Sequence, residues 1–158
     1  MPRRILIADD EASIRRAVRA FIESRSQFEV CEAADGTEAF HKAVLLNPDL
    51  IVLDLSMPNA NGVEVALLLR RRMPSTPVVL YTMFDDAFGK SPTKTLGISA
   101  IVPKSDGVAI LLGRIEALLK KDNALAAPIN DSNTDAEAAH AVTRASPPSG
   151  ICARLSKE

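Results

Sequence analysis

Through the first 121 residues, short, wholly apolar runs alternate with longer segments whose apolar residues recur at helical spacing. Ile5-Leu6-Ile7-Ala8, Leu50-Ile51-Val52-Leu53 and Val78-Val79-Leu80-Tyr81 offer no charged side chain to water. Each predicts a strand covered on both faces. Phe28 to Ala33 alternates instead, as an edge strand does, and Ile98 to Val102 predicts a shorter last strand. Between these runs, Ile14, Ala17, Val18, Phe21 and Ile22 share one helical face, with Arg15, Arg16 and Arg19 opposite. Ala39, Phe40, Ala43 and Val44 mark a second helix, which Asn47-Pro48 ends. Val63, Ala66, Leu67 and Arg70 mark a third, and Val108, Leu111, Leu112, Ile115, Leu118 and Leu119 form a strong final stripe. A helix over 88–97 is weak, because Gly89, Pro92 and Gly97 interrupt it.

Strands that alternate with helices pair in parallel and carry helices on both faces. The expected fold is therefore α/β: a flavodoxin-like, doubly wound (βα)5 domain around a central five-stranded parallel sheet. Ligands of such folds gather at the carboxyl ends of the strands. In this chain those ends carry Asp9 and Asp10, Asp54, Thr82 and, just after the last strand, Lys104. Three carboxylates brought together repel one another, which raises a pKa or recruits a cation. Oxygen-only ligands suit a hard ion such as Mg²⁺. A nearby lysine offsets the same repulsion, by about 4 kcal/mol at ~4 Å and an effective dielectric of ~20 before desolvation. An Asp held beside Mg²⁺ and Lys can attack a phosphoryl group.

Composition changes the picture at the C-terminus. Of 158 residues, 47% are apolar, but the stretch 122–158 has no aromatic residue and is rich in Ala, Ser and Pro. It cannot bury enough apolar area to offset its ordering entropy. The expected organisation is a folded domain over 1–121 and a disordered tail over 122–158. Lys plus Arg is 19 and Asp plus Glu is 20, a net charge of -1. That balance argues against a nucleic-acid binder driven by bulk positive charge. Arg70-Arg71-Arg72 reads as the solvated end of the third helix, where cations complement the helix dipole. No apolar run is long enough to span a bilayer or to serve as a signal peptide, so a cytoplasmic protein is expected. Cys31 and Cys152 lie far apart in the chain, which argues against a disulfide scaffold, a zinc site or a redox pair, and Cys31 reads as a small buried hydrophobe. His41 falls outside the acidic cluster and is expected to be exposed.

Residues 3–120 resemble a response regulator receiver domain of two-component systems. The pieces that carry the resemblance are Asp9-Asp10, Asp54 followed by Pro58 and Gly62, Leu80-Tyr81-Thr82-Met83 with Asp85-Asp86, and Lys104. The Leu-Tyr-Thr-Met segment is similar to receivers that precede a helix-turn-helix output domain. The resemblance implies that Asp54 accepts a phosphoryl group from a sensor histidine kinase or phosphotransfer protein. It implies that Asp10, Asp54 and the Ser56 carbonyl hold Mg²⁺, with Asp9 reaching the metal through water. Lys104 would bind the phosphoryl group, and Thr82 would move to hydrogen-bond it.

The chain departs from the family pattern in three places. Ile101 stands where an aromatic switch is usual, Ser105 follows Lys104 where proline is usual, and the segment over 88–97 is weak. The expected activity is phosphorelay signalling by a stand-alone receiver through protein–protein contacts with a downstream protein. No turnover beyond self-phosphorylation from a donor and slow autodephosphorylation is expected, nor direct contact with nucleic acid or membrane. The sequence leaves open whether phosphorylation pairs two copies. Phe84, two residues after Thr82, is expected to screen the phosphoryl group from water. Two other readings compete. One is a phosphorylation-independent scaffold on the same fold. The other is a haloacid-dehalogenase-like phosphohydrolase, which needs a second Asp where this chain has Ser56.

Overall fold

The computed structural model describes residues 1–83 and 96–125. The helix expected over 88–97, apart from Leu96 and Gly97, falls outside them, as do Phe84 and residues 126–158. The elements run β1 (Arg4–Ala8), α1 (Ala12–Arg25), β2 (Glu29–Ala33), α2 (Gly36–Leu46), β3 (Leu50–Leu53), α3 (Gly62–Arg72), β4 (Val78–Thr82), β5 (Ala100–Pro103) and α4 (Val108–Leu125). The five strands form one sheet in the order β2-β1-β3-β4-β5, and every pairing is parallel. This is the flavodoxin-like order, with its switch point between β1 and β3.

The apolar runs became strands because a parallel sheet buries both faces. In β1, Leu6 and Ala8 face α2 and α3, while Ile5 and Ile7 face α1 and α4. The alternation of β2 fits its place at the sheet edge. Two boundaries differ from expectation. β5 begins at Ala100 rather than Ile98, because Ile98 packs into the α2–α3 side of the core before the strand starts. The final helix continues past Lys121 to Leu125. Arg3 tethers it there, donating to the Leu119 carbonyl at 2.8 Å and to Asn123 at 2.7 Å.

Helix ends follow the sequence chemistry. Asp35 caps α2 by accepting from the Glu38 N–H, and Glu38 reaches back to the Ala34 N–H at 2.6 Å, a reciprocal cap. Asn61 caps α3 in the same way at Glu64. Arg4 is buried, a placement that its sequence context did not reveal. Its guanidinium bridges Glu29 and the last carbonyl of α2, Leu46, while its backbone N–H donates to Asp49. Cys31 is buried as expected, yet its sulfur is disulfide-bonded rather than a free thiol.

Leu6 is fully buried at the centre of the sheet. Leu6→Ala is expected to lower stability by about 2–5 kcal/mol through lost burial and the cavity it leaves. Urea unfolding would show this as a lower midpoint with an unchanged slope.

Candidate functional site

Two neighbouring strand ends supply the acids. β1 runs apolar through Ala8 and delivers Asp9 and Asp10 at its carboxyl end. β3 delivers Asp54, whose backbone N–H pairs with the Ala8 carbonyl at 2.9 Å and continues the ladder by one step. Asp9 and Asp54 are buried, at 2% and 5% exposure, whereas Asp10 is exposed. Ligand oxygens of Asp9, Asp10 and Asp54 all lie within 4.8 Å of one another. Thr82 ends β4, fully buried, opposite Pro103 in the register. Lys104 follows directly from β5.

The Lys104 ammonium joins the two buried acids. Its Nζ lies 2.6 Å from Asp9 Oδ2 and 3.1 Å from Asp54 Oδ2. The remaining oxygens are held by backbone. Asp9 Oδ1 accepts the Glu11 N–H at 2.9 Å, and Asp54 Oδ1 accepts the Leu55 N–H at 2.7 Å. Arg15, on α1, fixes the Asp9 main chain by donating to its carbonyl at 2.7 Å. On the other side, the N-terminus of α3 presses against Asp54. A Cβ on Gly62 would sit 2.3 Å from the Asp54 carbonyl oxygen, so only glycine lets the helix start there. The Gly62 N–H bonds the Leu55 carbonyl at 3.0 Å, closing the loop from Leu55 to Asn61.

Burial and charge oppose each other in this cluster. Burial raises the Asp9 pKa, and the Lys104 contact only partly lowers it again. Burial pulls Lys104 down, but hydrogen bonds and charge from Asp9 and Asp54 outweigh it and raise its pKa above 10.5. Burial also pushes the Tyr81 phenol up, and that phenol feels the charges of Lys104 and Asp9. An ionised Asp9 is thus costly, and added positive charge would relieve it.

The donor set fits Mg²⁺. It is all oxygen, it is mostly carboxylate, and its exposed member, Asp10, faces solvent from which metal-bound waters can come. Oxygens on one Mg²⁺, each about 2.1 Å from it, lie at most ~4.2 Å apart, so the cluster needs only a small contraction or one bridging water.

Of the residues singled out in the sequence, Asp9, Asp10 and Asp54 come together with Lys104 between the two buried ones, and Thr82 ends the adjoining strand. Ser56 lies in the closing loop, its N–H 3.5 Å from Asp54 Oδ1. His41 is exposed on α2, away from the cluster, as expected. The sequence reading missed the backbone clamps, namely Arg15 on the Asp9 carbonyl and the Leu55 N–H on Asp54. Arg15 carried a signal only as one of several helix arginines.

Folding raises the Lys104 pKa above its ordinary 10.5, so the folded state holds that proton more tightly. The stability this contributes is complete below pH about 10.5 and is lost as pH rises through the higher folded value. Lys104→Met should abolish this alkaline loss. At pH 7 in EDTA it should also cost about 3 kcal/mol, because two buried carboxylates lose their cation. Unfolding midpoints from pH 7 to 12 would check both effects.

The comparisons agree with this geometry. The model of the response regulator receiver domain matches residues 5–116. The chain is 35% identical over 135 residues to the alkaline phosphatase synthesis transcriptional regulatory protein PhoP of Bacillus subtilis, covering 85% of this chain and 55% of that protein. It is 33% identical over 121 residues to the response regulator MprA of a Mycobacterium species, covering 77% and 52% respectively. The chain thus spans about half the length of the curated relatives it matches. Among solved structures, the receiver domain of the Francisella response regulator 1452 superposes with a TM-score of 0.70 at 27% identity, covering 76% of this chain and 98% of that one. A LuxR-family response regulator from Aurantimonas superposes with a TM-score of 0.71 at 31% identity, covering 77% and 87%. No helix among the described residues is long and apolar enough to cross a membrane. The chain belongs to the response regulator receiver domain family, the phosphorelay signalling modules of two-component systems.

Proposed function

We propose that Asp54 is the phosphoryl acceptor of this receiver, that Lys104 and Thr82 recognise the transferred group, and that Asp9, Asp10, Asp54 and the Ser56 carbonyl form its Mg²⁺ site. The observation that carries this reading is the Lys104 ammonium bridging Asp9 and Asp54 at 2.6 and 3.1 Å. It places a fixed positive charge beside the one buried carboxylate that also faces the β3–α3 loop. One Asp54 oxygen attacks phosphorus as the bond to the donor breaks. The donor is a phosphohistidine nitrogen of a kinase or phosphotransfer protein, or the acyl oxygen of acetyl phosphate. The Lys104 ammonium then donates to an oxygen of the transferred group, and the Leu55 N–H steadies the other Asp54 oxygen. Bound Mg²⁺ would supply further neutralisation of the phosphoryl oxygens. The Thr82 hydroxyl, at the end of β4, would follow the new charge and carry its presence into the sheet.

This is stoichiometric phosphotransfer for signalling rather than turnover. Ser56 stands where a phosphohydrolase on a similar site keeps its acid–base carboxylate, so leaving-group protonation has no provider there. The upstream partner is a sensor kinase or phosphotransfer protein, and the output acts through contacts with a downstream protein. Residues 1–121 would act as the receiver unit and 122–158 as an appended tail, in the cytoplasm. Incubation with acetyl phosphate or a histidine kinase and Mg²⁺ should label the wild type with one phosphoryl group. Asp54→Ala should take none, Lys104→Ala should fall at least tenfold, and EDTA should abolish labelling. Labelling of Asp54→Ala at the wild-type level, read by intact mass, would sink the proposal.

A further inference from the structure

The first residue of α2 touches the loop that leads away from Asp54. A Cβ on Gly36 would lie 2.5 Å from the Ala60 carbonyl oxygen and 2.8 Å from both Ala60 Cβ and Val65 Cγ2. No flexible side-chain tip is involved at the closest contact, so something must move. The start of α2 is poorly able to move. Asp35 and Glu38 cap it reciprocally, and Lys42 ties it down by pairing with Glu38 at 2.6 Å and donating to the Glu32 carbonyl at 2.7 Å. The loop is the softer partner. Its path turns at Asn59, which holds a left-handed φ of 70°, and its far end is pinned where Gly62 meets the Asp54 carbonyl. Ala60 against Gly36 is therefore a second pin on the short segment that carries Ser56.

We propose that Gly36 is a positioning residue for the acidic site: its bare α-carbon lets the β3–α3 loop seat at Ala60, and that seat sets where Ser56 stands relative to Asp54. The inference rests on reading Asp9, Asp10, Asp54 and Ser56 as a Mg²⁺ site. Gly36 touches none of the reacting atoms and acts through Ala60 and its neighbour Val65. Gly113, on α4, supplies the contrast, since a Cβ there meets nothing within 4 Å.

The chain has one tyrosine and no tryptophan, and Tyr81 is buried within reach of the charges of Lys104 and Asp9. Its fluorescence therefore serves as a built-in reporter of Mg²⁺ binding, with isothermal calorimetry of MgCl₂ as the cross-check. Gly36→Ala should weaken Mg²⁺ binding at least tenfold and slow labelling by acetyl phosphate at sub-saturating Mg²⁺, with the rate recovering at high Mg²⁺. Gly113→Ala should leave both unchanged. A merely structural role would lower the unfolding midpoint of Gly36→Ala yet leave the Mg²⁺ affinity of the folded protein at the wild-type value, and that result overturns the proposal. Should Gly36→Ala not fold, Ala60→Gly decides, because it removes the Ala60 Cβ that packs over Gly36 and frees the loop backbone without adding a clash. A threefold or greater loss of Mg²⁺ affinity supports the inference, and an unchanged affinity overturns it. A wild-type protein that binds no Mg²⁺ by calorimetry would instead sink the underlying site.

Discussion

One lysine ammonium held between two buried carboxylates is the interaction on which the upper edge of this domain depends. Asp9 and Asp54 end adjacent strands, so the sheet forces them together whatever their mutual repulsion. Lys104 closes the cluster from the far side, 2.6 and 3.1 Å away. Without it, two desolvated negative charges would face each other across the β1–β3 switch point, at a cost of several kcal/mol. With it, each buried carboxylate has a cation within hydrogen-bonding distance, although burial still raises the pKa of Asp9.

The rest of the molecule is arranged to keep this cluster in place. Backbone donors at Glu11 and Leu55 occupy one oxygen of each acid, and Arg15 holds the Asp9 main chain. The glycine at the start of α3 lets that helix abut the Asp54 carbonyl. At the opposite edge, buried Arg4 ties β1, β2 and the end of α2 together. One edge of the sheet is thereby fixed for stability, and the other is left charged and open for chemistry, the usual division in doubly wound folds.

Much of this was legible in the residues. Wholly apolar runs became central strands, because a parallel sheet leaves them no wet face. Asp35 and Asn61 are of the residue types that favour helix N-termini, and both cap helices. The cluster of Asp9, Asp10, Asp54 and Lys104 was legible because strand ends in this fold share one edge. The exposure of each acid was not legible. Asp9 and Asp10 are sequence neighbours, yet one is buried and bonded to Lys104 while the other faces solvent, because consecutive residues leaving a strand point to opposite sides. Buried Arg4 was likewise invisible, since its partners Glu29, Leu46 and Asp49 lie far from it in the chain.

The sequence by itself determined the fold class, the strand and helix order and the set of groups that meet at the carboxyl edge, because periodicity and local composition are properties of adjacent residues. Only the tertiary structure decided which carboxylate oxygens Lys104 occupies, which acid is left to solvent, and that α2 touches the loop beyond Asp54 through an unsubstituted α-carbon. Those are distances between segments that chain order leaves free. They are fixed by how helices of given width settle on a twisted sheet and by where a single Cβ would no longer fit.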